Sequence, residues 1–294
     1  MQKSQLAILT DPERMLVLET TTHAMAGLDE DAVAELHNRI RRARNKYTGM
    51  YRRGGAERVR TAGGRGKAYG KNNDPEKIFS VVDADGKPAI RVSGKVFGCF
   101  VTEKEYENYH LTVEFKWGKE TWPPREKGAR DSGILLHCVG EDGAASGVWL
   151  ESVECQMIEG GTGDFILVKG KNTPSLSVKV KNIPTGAGDK KSPQPYFDPD
   201  GMLTKFTGGR INWWGRDPVW KDTVGFRGKN DVERLAGEWN TLECVCDGGN
   251  ITNILNGKVV NAGTECSHTR GKILFQSEGA EVFFRRIDLA PVKK

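Results

Sequence analysis

The sequence has no run of 18 apolar residues, so no stretch of it reads as a membrane-spanning helix. Its first twenty residues lack the uninterrupted apolar segment of a signal peptide, because Asp11, Glu13 and Arg14 break it up. The expectation from the chain as written is a cytoplasmic protein with no membrane contact. Cysteine is sparse: the six are Cys99, Cys138, Cys155, Cys244, Cys246 and Cys266. None forms a C-x-x-C pair, and no Cys/His cluster has zinc-ligand spacing, which excludes a zinc-ribbon or finger framework. Without an export signal, these cysteines are expected as free and mostly buried thiols. Apolar residues are not lacking. They make up 37% of the chain, and with 36 Gly beside them the composition is that of a globular protein, not a disordered one.

The formal net charge of +5 is unevenly spread. Residues 1–72 hold 14 Lys/Arg against 8 Asp/Glu, whereas the rest of the chain is almost neutral. Between Arg39 and Lys71 there are 12 basic residues and one acidic residue, Glu57. Asp11 followed by Pro12 predicts a helix start. A second helix is predicted from Asp29. Its apolar positions Val33, Leu36, Ile40, Ala43 and Tyr47 step by three and four, with acidic residues leading and basic ones closing. Glycines among Arg and Lys then predict a flexible linker over 54–74. The division expected is a basic helical segment at 1–53, the linker at 54–74, and one large domain at 75–294. Clustered cations over 39–71 suit either plain solvation or contact with nucleic acid or another acidic partner.

From Ile78 the pattern has period two. Tyr109–Trp117 and Trp239–Cys246 alternate cleanly, and Asn256-Gly257 is a strong hairpin signal between two short apolar runs. Many short strands with turn residues between them predict a mainly β two-sheet sandwich. The Gly/Pro/Lys-rich stretch 170–236 reads as long loops over one face.

Four segments stand out: Arg130-Asp131-Ser132-Gly133-Ile134 running to His137, Glu154-Cys155-Gln156-Met157-Ile158-Glu159, Gly237-Glu238-Trp239-Asn240, and Gln276-Ser277-Glu278-Gly279 running into Phe284-Arg285-Arg286-Ile287. In this order, over roughly residues 78–289, they resemble the 3-keto-disaccharide hydrolase domain family. Arg286 stands where that family usually has Asn, and Glu278 where His is frequent. The resemblance implies a concanavalin A-like jelly-roll β-sandwich of two antiparallel sheets acting on oxidised sugars. It does not extend to the basic α-helical N-terminal segment.

The residues also speak for themselves. Glu154 and Gln156 are two apart in a strand and share a face. Glu159, five on, joins them only through a β-bulge. A carboxylate inside an apolar strand is costly unless it is used. A 3-keto group acidifies the hydrogen on C2, so a base there can start an elimination that expels the C1 oxygen, with water adding afterwards. The roles expected are Glu154 as base, His137 or Glu159 as acid, and Gln156 with Arg130 on the 3-oxygen. Gln276 is expected to line the same sheet. Trp149, Trp213 and Trp214 offer faces for sugar rings or, equally, core plugs. A divalent metal held by His137 and Glu154 is the alternative Lewis acid. Competing readings are a retaining glycoside hydrolase using Glu154 and Glu159, and a non-catalytic carbohydrate-binding module.

Overall fold

The computed structural model describes residues 11–42, 76–186 and 192–292. The chain divides into two compact units, Met1–Pro75 and Glu76–Lys294. In the first, α1 (Asp11–Glu19) and α2 (Thr22–Met25) precede a helical stretch, α3, over 30–42. Asp29 caps α3 as its position predicts: its Oδ1 accepts the Ala32 amide at 2.8 Å. Of the predicted apolar stripe, Leu36 is buried, while Val33 and Ile40 stay exposed. Arg39 reaches back from α3 to pair with Glu19. The predicted linker at 54–74, and the basic run beyond residue 42, lie outside the described residues. No helix among the described residues is long and apolar enough to cross a membrane.

The second unit is built of strands. They are β1 (Phe79–Ala84), β2 (Lys87–Val92), β3 (Gly98–Val101), β4 (Tyr109–Thr121), β5 (Asp131–Val139) and β6 (Glu151–Ile158). There follow β7 (Phe165–Val168), β8 (Leu176–Thr185), β9 (Ser192–Phe197), β10 (Met202–Phe206) and β11 (Gly209–Ile211). The last are β12 (Asn240–Asp247), β13 (Asn250–Leu255), β14 (Lys258–Thr264), β15 (Lys272–Ser277) and β16 (Ala280–Pro291). One antiparallel sheet runs β1-β2-β16-β4-β12-β13-β14-β8-β10, with β9 also on β8; the other runs β11-β7-β6-β5-β15-β3. This is the expected jelly-roll sandwich. The stretch 170–236 is a partial correction. It carries β8 to β11, and its long irregular part lies beyond Ile211.

Alternation makes the core. In β4, Leu111, Val113, Phe115 and Trp117 point inward and are buried; in β12, Leu242, Cys244 and Cys246 do the same. They face Ile134 and Leu136 of β5, Val153, Cys155 and Met157 of β6, and Phe275 of β15. Burying side chains of this size contributes roughly 1.5–3 kcal/mol each. Asn256 and Gly257 both take positive φ, as a two-residue turn with the twist of its strands requires, and they join β13 to β14. All six cysteines are free.

The face of the six-stranded sheet turned away from this core is the one that matters. The register places Arg210 (β11), Ile166 (β7), Glu154 (β6), Leu135 (β5), Leu274 (β15) and Val101 (β3) in one row across all six strands. The loop between β5 and β6 folds over part of this face. Its Trp149 packs with Leu135, Leu150 and Leu274 into a second small apolar cluster.

Candidate active site

The polar half of the outer face holds Glu154 and Gln156 from β6, Asp131 from β5, Gln276 from β15, and Glu278 just after it. Glu154 is only 4% exposed, and Asp131, Gln156 and Gln276 are buried beside it. Gly133 forms the floor. A side chain there would have to push both neighbours aside: a Cβ on Gly133 would lie 2.1 Å from Glu154 Oε1 and 2.4 Å from Gln276 Oε1. Neither of those two oxygens has a hydrogen-bond partner, although both are buried. Two acceptors turned to one point call for a donor between them, either a carboxyl proton or a guest hydroxyl.

The other members of the cluster are anchored. Gln156 Nε2 donates to Asp131 Oδ1 at 2.6 Å. Arg125, from the loop after β4, meets Asp131 Oδ2 at 3.0 Å and Asp222 at 3.1 Å. Arg210 is tied to Asp164 at 2.7 Å, which holds its guanidinium at the β11 side of the face.

The electrostatics are those of crowded carboxylates. Burial raises the pKa of Glu154 well above the ordinary range, and the charges of Glu278 and Asp131 push it further; Arg210 and Gln276 oppose the shift. Asp131 is raised well above its usual value by burial and by Glu278, against the pull of Arg125 and Arg210. Glu278 is raised too, mainly by burial. Three carboxyls in one place with elevated proton affinity are suited to taking and giving protons. A nucleophilic carboxylate must instead be ionised.

The structure brings together Glu154, Gln156 and Gln276 of the residues expected from sequence, and it separates the others. The β5–β6 pairing runs without a register shift from Asp131↔Ile158 to Leu136↔Val153, so the bulge needed to swing Glu159 beside Glu154 is absent from this segment. Glu159 instead takes Arg130 Nη1 at 2.7 Å, the Arg130 amide at 2.9 Å and the Gly225 amide at 2.7 Å. Arg130 also donates from Nε to the Gly118 carbonyl. Both are therefore bound to each other as a buried strut, not offered to a sugar.

His137 moves for a different reason. The pairing shifts between Leu136 and Val139, and His137 takes positive φ. Its ring lies edge-on to Tyr109 of the opposite sheet, centroids 5.4 Å apart, between the sheets and fully buried. Burial lowers its pKa to about 4. His137 and Glu154 thus cannot share a metal. Among the described residues no group of three or more His, Cys, Asp and Glu has the geometry to hold one.

The tryptophans divide as well. Trp213 is 1% exposed, in the main core, with its Nε1 on the Gly160 carbonyl. Trp214 is 38% exposed but lies beside Lys181, Phe197 and Val259 of β8, β9 and β14, not at the cluster. Trp149 is a plug whose ring stacks on Phe97 at 6.5 Å between centroids, and Phe97 is itself exposed. Sequence reasoning missed Arg125, Arg210 and Phe97 and did not give Glu278 a role. Glu278 had one usable signal, two residues after Gln276 and so on its face.

The second unit is thus a jelly-roll sandwich with three carboxyls, Asp131, Glu154 and Glu278, gathered at the outer face of one sheet, and its family match places it among carbohydrate-acting proteins. Residues 60–290 match the family described as 3-keto-alpha-glucoside-1,2-lyase-like domain, and the chain belongs to that family. Among solved structures it is similar to a putative glycosyl hydrolase from Parabacteroides distasonis, at 19% identity over 76% of this chain and 96% of that one, with a TM-score of 0.40. It is also similar to the carbohydrate binding module CBM66 from Bacillus subtilis, at 6% identity over 72% and 91% of the two chains, TM-score 0.40. No curated protein matches it.

Proposed function

We propose that the protein cleaves 3-keto-glycosides by elimination and hydration, with Glu154 as the base at C2. The observation that carries this is the lateral order of the outer face. Gln276 and Glu278 belong to the β15 side, Glu154 stands in the middle on β6, and Arg210 stands on the β11 side. A 3-keto sugar needs three groups in that order, along C3, C2 and C1.

Glu154 takes the proton from C2, and the electron pair moves into an enolate on the 3-oxygen. Gln276 turns its amide toward that oxygen. Glu278, whose proton affinity burial raises, donates a hydrogen bond to it when it carries its proton, since a neutral carboxyl in a buried site is an effective oxyanion donor. The enolate then collapses to a C1=C2 double bond conjugated with the ketone, and the C1–O bond breaks. Arg210 supplies positive charge to the departing oxygen. Water adds its hydroxyl to C1 and its remaining proton goes to the departed oxygen, Glu154 returns the C2 proton to C2, and a free 3-keto sugar and the leaving alcohol are released. Raised proton affinity in Glu154 makes its carboxylate a stronger base than an ordinary one.

The test is turnover of a 3-keto-disaccharide beside its unoxidised parent in heavy water, followed by NMR. Cleavage of the keto form alone, with deuterium entering at C2, is expected. Equal cleavage of the unoxidised sugar without deuterium at C2 would overturn the reading in favour of direct glycoside hydrolysis.

A further inference from the structure

Three side chains outside the acid–base cluster are joined in a line. Ser267 and His268 lie in the loop between β14 and β15, and Glu151 opens β6. The Ser267 hydroxyl is 2.9 Å from His268 Nδ1, and His268 Nε2 is 2.9 Å from Glu151 Oε1. We propose that Ser267 is a nucleophile, with His268 as its base and Glu151 orienting that base, and that it takes acyl groups from small carboxylic esters and passes them to water. This is a second activity, independent of the reaction at Glu154.

The protonation pattern follows from the partners. A carboxylate oxygen only accepts, and the other Glu151 oxygen already accepts the Asn172 amide at 2.7 Å. Nε2 of a neutral imidazole beside it must carry the ring proton, which leaves Nδ1 an acceptor. The Ser267 hydroxyl then donates to Nδ1, so the base stands ready to take that proton as the oxygen attacks. Ser267 Oγ also accepts the Ser175 amide at 2.9 Å, which fixes its direction and leaves one lone pair unclaimed.

Burial is graded in the order the chemistry asks for. Glu151 is 3% exposed, His268 is half-buried and Ser267 is exposed. Gly170 makes room for the carboxylate: a Cβ there would stand 2.7 Å from Glu151 Cβ and 3.0 Å from its Oε2. The His268 carbonyl accepts Cys266 Sγ at 3.0 Å, which pins the loop. The amides of Thr269 and Arg270 have no protein acceptor among the described residues and are free to meet the carbonyl oxygen of an ester. A tie between this loop and β6 would be complete with Glu151 and His268 alone; it has no need of a surface hydroxyl in line with them. Glu151 shares the inward face of β6 with Val153, whereas Glu154 is on the outer one, so the two sites are separate.

The step balances without a cofactor. Ser267 Oγ bonds to the ester carbonyl carbon while its proton passes to His268 Nδ1. The alcohol oxygen leaves with that proton. Water, deprotonated by His268, then attacks the acyl-serine, releases the acid and restores the hydroxyl.

The experiment uses two probes on the full chain. One is a fluorophosphonate, whose fluoride an activated serine displaces, with the labelled residue mapped by mass spectrometry. The other is p-nitrophenyl acetate. Both are applied to the wild-type protein, Ser267→Ala, His268→Asn and Glu151→Gln, with melting curves to check that each is folded. Ser267→Ala removes one exposed oxygen and should melt as the wild type does. The expected result is phosphonate on Ser267, none in Ser267→Ala, and labelling at least tenfold slower in His268→Asn and Glu151→Gln, with acetate hydrolysis falling in parallel. A wild-type protein that takes no phosphonate on Ser267 overturns the proposal. So does labelling of Ser267 that folded His268→Asn leaves at the same rate, or acetate hydrolysis that Ser267→Ala leaves unchanged.

Discussion

Glu154 and Gln276 turn their Oε1 atoms to the same point, the place where Gly133 has no Cβ. They come from strands separated by β5, and the missing side chain on β5 lets them meet. Removing the acid–base capacity of Glu154 should therefore stop the chemistry without emptying the site. Glu154→Gln is expected to lower kcat by about 10²–10⁴. Binding of an unoxidised disaccharide, measured by calorimetry, should persist. Turnover within a few-fold of wild type would remove Glu154 from the mechanism.

Gly133→Ala tests the floor itself. The new methyl would meet the ends of two side chains, not backbone, so those side chains swing aside and the fold survives. The melting temperature should change little, while kcat/KM should fall at least as far as in Glu154→Gln. A variant that melts normally and still turns over would show that the space above Gly133 is not where the sugar sits.

Glu159 and Arg130 make the opposite case. Both are largely buried and bound to each other, and Glu159 also holds two backbone amides. Truncating one partner strands the other, at a cost of about 3–5 kcal/mol. Glu159→Ala should lower the denaturant midpoint strongly, yet the fraction that stays folded should turn over at a near-normal rate. A collapse of kcat in folded protein would return Glu159 to the catalytic set.

Two buried groups give stability a pH dependence of opposite sign. Glu233 accepts hydrogen bonds from Trp117 and Thr162, and burial lifts its pKa from 4.5 to about 8. The folded protein therefore holds a proton that the unfolded chain has released, and stability falls as pH rises from 4.5 to 8. His137 works the other way. Its pKa drops from 6.5 to about 4, so the unfolded chain holds the extra proton and stability falls as pH drops through that window. Urea melts across pH 4–8 should show the alkaline slope flattened in Glu233→Gln and the acid slope flattened in His137→Asn. Unchanged slopes in either would contradict its assignment.

Much of the fold was legible because a two-sheet core imposes period two, and β4 and β12 obey it residue by residue. Glu154 and Gln276 were legible for a related reason: each is a polar residue directly following a buried apolar one, Val153 and Phe275, in a strand. Arg210 was hidden because β11 is three residues long inside a glycine-rich stretch, and its neighbour Ile166 comes 44 positions earlier in the chain. His137 looked like part of the site until the register shift beside it turned the ring between the sheets. Glu159 looked like a second carboxylate of the pair, because nothing local reveals that its partner, Arg130, lies 29 residues back.

The position of β15 and β16 sets the schedule by which the protein is made. β16 lies between β2 and β4, and β15 between β5 and β3, so both sheets stay split until residues 272–291 have left the ribosome. Until then four strand edges are open, and long-range pairings of this kind form slowly. Gln276 and Glu278 arrive on the same late segment. The nascent chain thus carries Glu154 and Asp131 long before it has the partners that make them reactive, and closing the sandwich and completing the site are one event.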